Sequence, residues 1–547
     1  MDQFKPMLLT TLKGYRKEQF IQDLIAGVIV AIIALPLSIA LALASGVGPE
    51  EGLYTAIVAG FLISALGGSK VQIAGPTAAF ATIVAGIVAR NGMDGLALAT
   101  LLAGVFLILM GVFRLGSLIK FIPYTITTGF TAGIAATILI GQFKDFFGVT
   151  YADGVRPVET MEKLEAFFKS ISTVNPQAVL VGVLCLAILI VWPKVTEKIP
   201  GSLIAVLFGI AVVQLLDMDV NTIGDLYTVS NRLPSFRLPA LSFGMVRTVL
   251  PDAFTIAILA AIESLLSCVV ADGMINSKHR SNTELIAQGV GNMGSALFGG
   301  IPATGAIART AANIKSGGRT PVAGMVHAVV LVLVLVVLMP YAALIPMPTI
   351  AAILFMVAYN MCQWRPFLSL VKTAPKSDVA VLVITFALTV VFDLVIAIEV
   401  GMVLACLLFM KRMSDETGVR GWTYTEDDDP SLRPVPRQVR VYEISGPLFF
   451  GAAGRIAEIG VKDYTKCLVI KMKGVPALDA TAMKSLNELY DRCTHMGVTL
   501  LFSNVGEQPM RTMLKAGFVN KLGKEHFCAR LDDALALAEE LAAPVQK

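Results

Sequence analysis

Two ionisable residues lie inside long apolar stretches of this sequence. Glu263 is the only charged residue of 256–270, and Arg309 lies within the apolar segment 303–314. A charged group at membrane depth is expensive unless it faces a partner or a wet cavity. A desolvated carboxylate is a candidate proton carrier. With Ser267, one helical turn further on, Glu263 could instead ligate sodium.

Arg309 has three interpretations on sequence grounds. It could add positive potential beside an anion site, or it could form a structural ion pair with Glu263. It could also extend to the cytoplasmic edge of the membrane together with Lys315 and Arg319, because long basic side chains near helix ends reach for the interface.

Two motifs that combine proline with small residues share one form. Residues 72–80 read Gln-Ile-Ala-Gly-Pro-Thr-Ala-Ala-Phe, and residues 300–310 read Gly-Ile-Pro-Ala-Thr-Gly-Ala-Ile-Ala-Arg-Thr. Proline suits the first turn of a helix because its missing N–H would be unsatisfied there. Each motif therefore predicts a short extended stretch that opens a half-helix at membrane depth, where irregular backbone lines a cavity or is buried in protein.

Two half-helix N-termini that face each other would direct free N–H groups and positive dipole ends at one point, which suits an anion. Small side chains let a ligand approach these backbone donors closely, and the motifs supply Gly75, Ala78, Ala303, Gly305 and Ala306. The alternative interpretation is two kinked helices packed through small residues.

The composition indicates what must position these residues. A hydrophobic content of 55% excludes disorder. Only 15% of the 547 residues are charged, whereas an average soluble domain is about one quarter charged, which argues against a cytosolic enzyme. Fourteen segments are largely apolar, and several reach the roughly 20 residues that a spanning helix needs. Seven lie on each side of a polar stretch at 218–250: 24–44, 52–66, 78–89, 95–113, 122–142, 177–193, 202–217, 252–271, 284–298, 303–314, 321–340, 342–360, 378–393 and 394–410.

The two halves of this membrane region resemble each other weakly. Ala-Leu-Gly-Gly at 65–68 recurs as Ala-Leu-Phe-Gly-Gly at 296–300, and the Ile-Pro pair at 122–123 recurs at 345–346. Gly-Pro punctuation can recur by chance, but two pairs in the same order at similar offsets favour internal symmetry. Because each half has seven spans, the second half must be inverted, and inverted repeats are typical of transporters.

Basic residues indicate the orientation, because cytoplasmic loops carry an excess of Lys and Arg. If the basic segment 1–20 is cytoplasmic, alternation puts most basic loops on the same side and the long loops 143–176 and 218–250 on the other. Fourteen crossings then return the C-terminus to the cytoplasm. Asp393 and Glu399 lie near loop ends and are interpreted as interfacial or structural.

The matching motifs jointly resemble the SulP (sulfate permease) family of anion transporters. They are Asp-Leu-Ile-Ala-Gly-Val at 23–28 with Ala-Leu-Pro at 34–36, Gln-Ile-Ala-Gly-Pro-Thr at 72–77, Glu-Ser-Leu-Leu at 263–266 and Gly-Ala-Ile-Ala-Arg-Thr-Ala-Ala-Asn at 305–313. The resemblance implies an α-helical polytopic membrane protein with a seven-plus-seven inverted repeat, a core domain and a gate domain. It also implies a homodimer.

The resemblance further implies an anion site between the third and tenth spans, beside Arg309. By position, this site comprises Gly75, Pro76, Thr77, Ala78, Ala303, Thr304, Gly305 and Ala306. Glu263 occupies the family's acidic position, which is associated with proton or sodium coupling. Many members have serines where this chain has Ala306 and Ala308, so backbone N–H groups would be the main donors here.

Sulfate, bicarbonate, chloride and C4-dicarboxylates are substrates within the family. Because Glu-Ser-Leu-Leu looks like the motif of dicarboxylate-transporting bacterial members, proton-coupled uptake of a dicarboxylate is expected, with bicarbonate and sulfate close behind. The alternatives are an anion channel, which needs no coupling acid, and a nucleobase permease of the same fold. No enzymatic activity, cofactor, bound metal or nucleic acid is expected, apart from a coupling H⁺ or Na⁺ near Glu263 and Ser267. The expected location is a bacterial inner membrane.

Residues 421–547 are about twice as charge-dense as the rest, close to the soluble average. Strand-like and helix-like segments alternate from Val439 onward, which predicts a small α/β domain. The domain resembles a STAS domain (sulfate transporter and anti-sigma factor antagonist), with the signature loop at 474–481. Ala480 replaces the phosphorylatable Ser of the antagonists, so a role in assembly, trafficking or regulation with a cytoplasmic protein partner is expected. The predicted organisation is 1–20 (N-terminal segment), 21–412 (transporter domain, with repeats at 21–217 and 251–412), 413–438 (linker) and 439–547 (STAS domain).

Overall fold

A computed structural model of the chain describes residues 4–117, 122–152, 155, 157–196, 199–239, 242–392, 394–421 and 436–543. Asp393 and most of the predicted linker, residues 422–435, lie outside this range. The described residues form two compact units, Met1–Met402 and Val403–Lys547.

The first unit is helical, as its apolar composition predicts, and the last helix named below continues beyond Met402 into the second unit. In chain order its helices are α1 (Met7–Thr11), α2 (Lys17–Ala44), α3 (Pro49–Leu66), α4 (Ala78–Val112), α5 (Tyr124–Gly141), α6 (Phe143–Phe146), α7 (Thr160–Lys169), α8 (Pro176–Val195), α9 (Gly201–Leu215), α10 (Ile223–Leu226), α11 (Phe243–Ile275), α12 (Ser281–Leu297), α13 (Ile307–Lys315), α14 (Val322–Ala342), α15 (Met347–Cys362), α16 (Trp364–Thr373), α17 (Lys376–Val391) and α18 (Leu394–Glu416). Between them lie two short strands, β1 (Ala74–Gly75) and β2 (Thr304–Gly305).

Each of the fourteen predicted apolar segments contains a helix. The third and fourth segments share α4, which is interrupted at Gly92 by a non-helical backbone with φ +66°. Within the described residues, seven helices are long and apolar enough to cross a membrane: Lys17–Ala44, Ala78–Val112, Tyr124–Phe146, Pro176–Val195, Phe243–Ile275, Val322–Ala342 and Met347–Thr373. The other predicted segments form α3, α9, α12, α13, α17 and α18.

The helices of the first unit pack as two groups. The core helices are α2, α3, α4, α11, α12, α13 and α14, and the gate helices are α5, α8, α9, α15 and α17. Helices from both halves of the sequence interleave in each group: α4 packs against α11 and α12, while α5 packs against α15 and α17. Each group therefore needs both repeats to form.

The two sequence motifs that suggested a repeat occupy equivalent positions. Gly67 directly follows α3, and Gly299-Gly300 follow α12 by one residue. Pro123 is the N-cap residue of α5 and Pro346 that of α15. These positions make α3 of the first repeat equivalent to α12 of the second, and α5 equivalent to α15. This equivalence confirms the seven-plus-seven organisation.

The second unit is an α/β domain with one five-stranded sheet in the order β3-β4-β5-β6-β7. Its strands are β3 (Gly418–Gly421), β4 (Val439–Ser445), β5 (Cys467–Gly474), β6 (Thr499–Ser503) and β7 (Phe527–Cys528). Only β3 is antiparallel to its neighbour. The helices that complete the domain are α19 (Gly454–Ala457), α20 (Ala480–His495), α21 (Glu507–Lys515), α22 (Phe518–Leu522) and α23 (Leu531–Ala542).

Apolar side chains cover both faces of this sheet. Tyr442, Ile470 and Phe502 belong to the cluster on one face, and Val469 belongs to the cluster that contains Leu535 of α23 on the other. Burial raises the pKa of the Cys467 thiol to about 12, so this thiol is a packing group rather than a reactive one.

The described ends of the predicted linker carry secondary structure. Residues 413–416 belong to α18, and β3 pairs with β4 through Val419 and Ile444. A strand of two glycines, a valine and an arginine carries no strand signal in the sequence, because its pairing depends on backbone groups and on the edge that β4 offers.

Candidate functional site

The two Pro-containing motifs meet at a short antiparallel ladder between β1 and β2. Ala74 pairs with Gly305, and Gly75 pairs with Thr304. The backbone N–H of Ala306 adds a further bond to the carbonyl of Ile73 at 2.8 Å. The irregular backbone of each motif is thus satisfied by the other motif, as burial at membrane depth requires.

Two half-helices begin just beyond this ladder. The first part of α4 starts at Ala78, after the N-cap residue Thr77, and α13 starts at Ile307, after the N-cap residue Ala306. Because the strands are antiparallel, the helices start at opposite ends of the ladder and run apart. Their N-termini, with free N–H groups and positive dipole ends, therefore face each other.

Glu263 lies at the N-terminus of the α4 half-helix. The hydroxyl of Thr77 donates a hydrogen bond of 3.0 Å to Oε2 of Glu263. Both residues are only partly buried, which leaves room for a small ligand or ion to reach them. The long helix α11 carries Glu263, so a rigid element holds the carboxylate beside this N-terminus.

The neighbouring residue on α11 reaches the other motif. The hydroxyl of Ser264 accepts a bond of 3.1 Å from the backbone N–H of Gly305 and lies 2.7 Å from Oγ1 of Thr304. Thr304 in turn donates to the carbonyl of Ala260. Two consecutive residues of α11, Glu263 and Ser264, therefore contact the two half-helix motifs. Ser264 belongs to the Glu-Ser-Leu-Leu motif, but its spacing in the sequence does not predict this contact.

Ser267 faces a different partner from the one that sequence spacing suggests. Its hydroxyl donates to Oγ1 of Thr310 at 3.4 Å, and Thr310 accepts the backbone N–H of Ile73 at 3.0 Å. Among the described residues, Ser267 and Glu263 form no hydrogen bond with each other. Ser267 therefore supports the strand that leads into β1, and its role as a coupling-ion ligand stays a prediction.

Arg309 is buried between the two motifs, with 3% of its surface exposed. Its Nη2 donates a bond of 3.0 Å to the carbonyl of Pro76. The interpretation that it extends to the membrane edge is wrong, because the short helix α13 turns this side chain inward onto β1. In the described part of the chain it forms no ion pair with Glu263, since Pro76 takes one end of the guanidinium.

Gly75 lets the guanidinium of Arg309 approach the backbone of β1. A Cβ at position 75 would lie 2.6 Å from Nη1 of Arg309, closer than van der Waals contact allows. Gly75, which was predicted to admit a ligand, therefore also admits the arginine. The space that it leaves lies on the side of β1 that faces Ala56 of α3.

A buried carboxylate supports the first motif from behind. Glu284 of α12 has no exposed surface. Its Oε2 accepts the backbone N–H groups of Gly68 and Ser69 at 2.8 and 3.2 Å. Its Oε1 accepts the side-chain amides of Gln72 and Gln288, both at 2.9 Å. Four donors on one buried carboxylate fix the turn that precedes β1.

Two asparagine side chains complete the support of the motifs. Asn292 pairs with both backbone groups of Ala303, accepting at 2.8 Å and donating at 2.9 Å. Asn313 donates to the carbonyl of Val71 at 2.8 Å. These amides replace strand neighbours that a two-residue ladder cannot supply.

The models of two known protein families match most of the chain. The model of the sulfate permease family matches residues 20–385, and the model of the STAS domain matches residues 433–534. The first match covers more than half of the chain. The chain belongs to the sulfate permease family.

Relatives within the sulfate permease family match the chain over nearly its whole length. YvdB of Bacillus subtilis (strain 168), provisionally named a sulfate transporter, is 41% identical over 95% of this chain and 98% of its own. The bicarbonate transporter BicA of Synechocystis is 31% identical over 90% of both chains. The murine anion transporter Solute Carrier 26 family member A9 has the same fold, with a TM-score of 0.88 at 19% identity, covering 97% of this chain and 94% of its own.

Membership of the sulfate permease family confirms two predictions from sequence, a polytopic membrane transporter rather than an enzyme and a C-terminal STAS domain. Within that domain, Asp479 of the signature loop is the N-cap residue of α20. Its carboxylate accepts the backbone N–H groups of Ala482 and Phe450 at 2.8 and 2.9 Å. Among the described residues, no cluster of three or more His, Cys, Asp or Glu could hold a metal ion.

Glu284→Leu is expected to destabilise the core helices by about 3 kcal/mol or more, because each buried polar group left unpaired costs about 1–3 kcal/mol. Glu284→Gln keeps one acceptor oxygen and should lose less. The measurement is the melting temperature of the purified chain in detergent, followed by size-exclusion chromatography. Equal melting temperatures for the wild type and the Leu variant would show that the four hydrogen bonds do not hold the turn.

Proposed function

We propose that the protein is a secondary active transporter that carries a small oxyanion across the membrane by alternating access. The anion would bind between the N-termini of α4 and α13, and movement of the core helices against the gate helices would expose this point to either side. The observation that supports the proposal is the β1–β2 ladder, because it aims both half-helices at one place.

The chemistry of the site suits an anion with few side-chain ligands. Ala78, Ala303 and Ala306 offer no hydroxyl, so the donors would be the free backbone N–H groups at the two helix starts. Arg309 would add a buried positive charge directly behind β1, where little water screens it. Thr77 would complete the lining on the side of Glu263. The same site residues are proposed as in the sequence prediction: Gly75, Pro76, Thr77, Ala78, Ala303, Thr304, Gly305, Ala306 and Arg309.

Glu263 is proposed as the coupling residue. Its carboxylate contacts Thr77 at 3.0 Å, so a proton or a sodium ion on Glu263 would lie next to the anion. A cation bound at Glu263 would offset the negative charge that the anion brings. Loss of that cation would release the anion. Coupling of this kind needs both ligands to bind in one cavity, and the partial exposure of Glu263 and Thr77 is consistent with that requirement.

The cargo is proposed from the chemistry of the site together with the names of the relatives. Bicarbonate, sulfate and a C4-dicarboxylate all present oxyanion groups that accept backbone N–H bonds. The relatives named above are a bicarbonate transporter and a provisionally named sulfate transporter. The Glu-Ser-Leu-Leu motif at 263–266 keeps the dicarboxylate among the candidates.

The membrane arrangement is also part of the proposal. Fourteen crossings put both chain ends on one side, and the basic loops assign that side to the cytoplasm of a bacterial cell. The STAS domain would then be cytoplasmic, available to a regulatory protein or to a second copy in a homodimer.

A transport panel with the purified full-length chain in proteoliposomes tests the proposal. Radiolabelled bicarbonate, sulfate and succinate are offered in turn, with an imposed proton gradient, a sodium gradient or neither. We expect one oxyanion to accumulate against its own gradient when one of the ion gradients is present, and the other anions to compete according to affinity.

The panel also separates the alternatives. An anion channel would equilibrate the anions without accumulation, and its current would follow the gradient of the anion itself and would not be coupled to a proton or sodium gradient. Uptake of labelled uracil without any anion uptake would indicate a nucleobase permease. Either result would contradict the proposed function.

A further inference from the structure

One side of the helix α16 is apolar and exposed. Trp364, Leu368 and Val371 each expose 39–45% of their surface. Positions i, i+4 and i+7 lie on one side of an α-helix, so these three side chains form a continuous apolar ridge. Single exposed apolar residues are common on protein surfaces, whereas a row of large ones is typical of a surface that contacts a membrane or another protein.

A second ridge, beside the apolar one, is basic. It consists of Arg365 and Lys372, which are seven residues apart on the same side of α16, and of Lys376, which opens α17. All three side chains are exposed, and residues 363–377 contain no acidic residue. An apolar ridge flanked by basic residues is the pattern of a helix that lies between the acyl chains and the anionic headgroups of a membrane.

The side of α16 that faces away from the basic ridge packs on the gate helices. Phe367 is half-buried and meets Phe386 of α17 with ring centroids 5.6 Å apart. α16 also packs against α5. The apolar ridge therefore lies between the packed side and the basic ridge, where a helix at the membrane surface would face the acyl chains.

The length and position of α16 place it at a membrane surface. Its ten residues span about 15 Å, half of the roughly 30 Å hydrocarbon core of a bilayer, so the helix cannot cross. Gln363, with φ +45°, separates α16 from α15, and Pro375 is the N-cap residue of α17. Because α15 and α17 are consecutive spans in the proposed arrangement, the helix between them lies at the surface where α15 ends.

The start of α16 is suited to the layer of headgroups. Nε1 of Trp364 donates a hydrogen bond of 3.3 Å to the hydroxyl of Tyr359, and Cζ of Arg365 lies 5.3 Å from the centroid of the Trp364 ring. Trp and Tyr are enriched at membrane–water interfaces because their rings are apolar at one end and polar at the other. A guanidinium is a strong donor to phosphate oxygens.

We propose that α16 is an interfacial helix that binds the headgroups of anionic phospholipids. The apolar ridge enters the boundary of the acyl chains, and the basic ridge contacts the phosphate groups. The inference rests on the membrane arrangement of the proposed function, and it names a partner for a surface that lies outside the anion site.

Lipid bound at α16 would act on the gate helices as a group. α16 connects α15 to α17 and packs against α5, which itself contacts both of these helices. Holding α16 at the membrane surface therefore fixes the depth of three gate helices while the core helices move. We expect a variant without the basic ridge to transport with a lower Vmax and an unchanged KM, because the anion site is untouched. An unchanged Vmax would contradict this anchoring.

Quenching of Trp364 fluorescence by brominated lipids tests lipid binding in the full-length chain. The chain has three tryptophans, so Trp192→Phe and Trp422→Phe leave Trp364 as the only one. The protein is reconstituted in phosphatidylcholine vesicles that carry an equal, small fraction of brominated phosphatidylglycerol or of brominated phosphatidylcholine. We expect stronger quenching by the phosphatidylglycerol, and this excess should fall at high salt because the attraction is electrostatic.

The basic ridge is tested by neutralising it. The fraction of brominated phosphatidylglycerol that gives half-maximal quenching measures the apparent affinity. A basic residue near an anionic membrane surface contributes about a fivefold gain in binding. We therefore expect Arg365→Gln to weaken the apparent affinity about fivefold, and the triple variant to weaken it by more than about tenfold. The triple variant combines Arg365→Gln, Lys372→Gln and Lys376→Gln.

Two further variants make the test specific. A matched control removes three positive charges at exposed lysines of other helix ends and loops, and it should keep the excess quenching of the wild type. The control combines Lys194→Gln, Lys278→Gln and Lys315→Gln. Leu368→Ser together with Val371→Ser should instead weaken quenching by both lipids, because the apolar ridge no longer enters the acyl boundary.

Three results would overturn the inference. The first is equal quenching of Trp364 by the two brominated lipids, and the second is an unchanged excess in the triple variant of the basic ridge. The third is quenching by neither lipid, which would show that protein covers the apolar ridge. Loss of a dimer in Leu368→Ser on size-exclusion chromatography would then identify a second copy of the chain as the partner.

The quenching experiment does not require transport. If the wild type takes up none of the anions in the transport panel, the proposed function fails, whereas Trp364 quenching still decides whether α16 binds anionic lipid.

Discussion

Replacing Glu263 with glutamine is expected to abolish accumulation of the anion against its gradient while leaving some exchange across the membrane. Glutamine keeps the size of the side chain and can still bond to Thr77, but it neither releases a proton nor attracts a sodium ion. With one coupling ion per anion, a tenfold ion gradient is worth about 1.4 kcal/mol and drives about tenfold accumulation. The Glu263→Gln variant should not accumulate the anion above its equilibrium level.

The measurement is uptake into proteoliposomes with and without an imposed proton or sodium gradient, alongside exchange of labelled for unlabelled anion. Glu399→Gln is the matched control, because it makes the same chemical change at an exposed position of α18 and should accumulate the anion normally. If gradient-driven accumulation persists unchanged in Glu263→Gln, the coupling role of this carboxylate is rejected.

Replacing Arg309 with alanine is expected to weaken anion binding by about tenfold to hundredfold, because a hydrogen bond or close contact with a buried charge is worth about 1.5–3 kcal/mol. The substitution removes the only positive side chain among the proposed site residues, and it also frees the carbonyl of Pro76 that Nη2 holds. Arg309→Lys retains the charge and should lose less affinity than the alanine variant.

KM for the transported anion is the decisive quantity, and the melting temperature in detergent separates lost affinity from lost folding. Arg319→Ala serves as the control, since it removes a nearby cation whose guanidinium bonds the carbonyls of Ile314 and Gly318 instead. A folded Arg309→Ala variant with unaltered KM would show that Arg309 does not contribute to the anion site.

Most of the fold follows from local patterns that are visible in the sequence. Apolar segments long enough to span a membrane predict helices because every backbone group must be satisfied within the bilayer. Alternation in 439–445 and a short apolar run in 499–503 predict β4 and β6 with the ends that the structure has. The elements without such patterns were missed. They include the amphipathic helices α7 and α16, which are too polar to register as apolar segments, and the short strands β3 and β7, which depend on partners distant in the chain.

The site could also be predicted in part, because some of its residues stand out in local sequence patterns. Pro-containing motifs with small residues mark the half-helix starts, and a charge in an apolar segment marks Glu263 and Arg309. Residues that support them were missed: Ser264, Glu284, Asn292, Asn313 and Thr310. Glu284 stood at the edge of a predicted span, where an acid is unremarkable.

Residue type and spacing along the chain were sufficient to predict a polytopic membrane protein followed by a small α/β domain, because hydropathy, proline and glycine act through local physics. The resemblance of its motifs to the sulfate permease family and to STAS domains supplied the rest. Residue type and spacing could not decide which side chains meet. Helical spacing paired Glu263 with Ser267, whereas the folded chain pairs Glu263 with Thr77 and gives Ser267 to Thr310. Arg309 had three interpretations on sequence grounds, none of which named Pro76, and the folded chain places its guanidinium on the Pro76 carbonyl. The contacts of Glu263 with Thr77 and of Arg309 with Pro76 join residues from the two repeats, and their geometry is set only when both repeats are packed together.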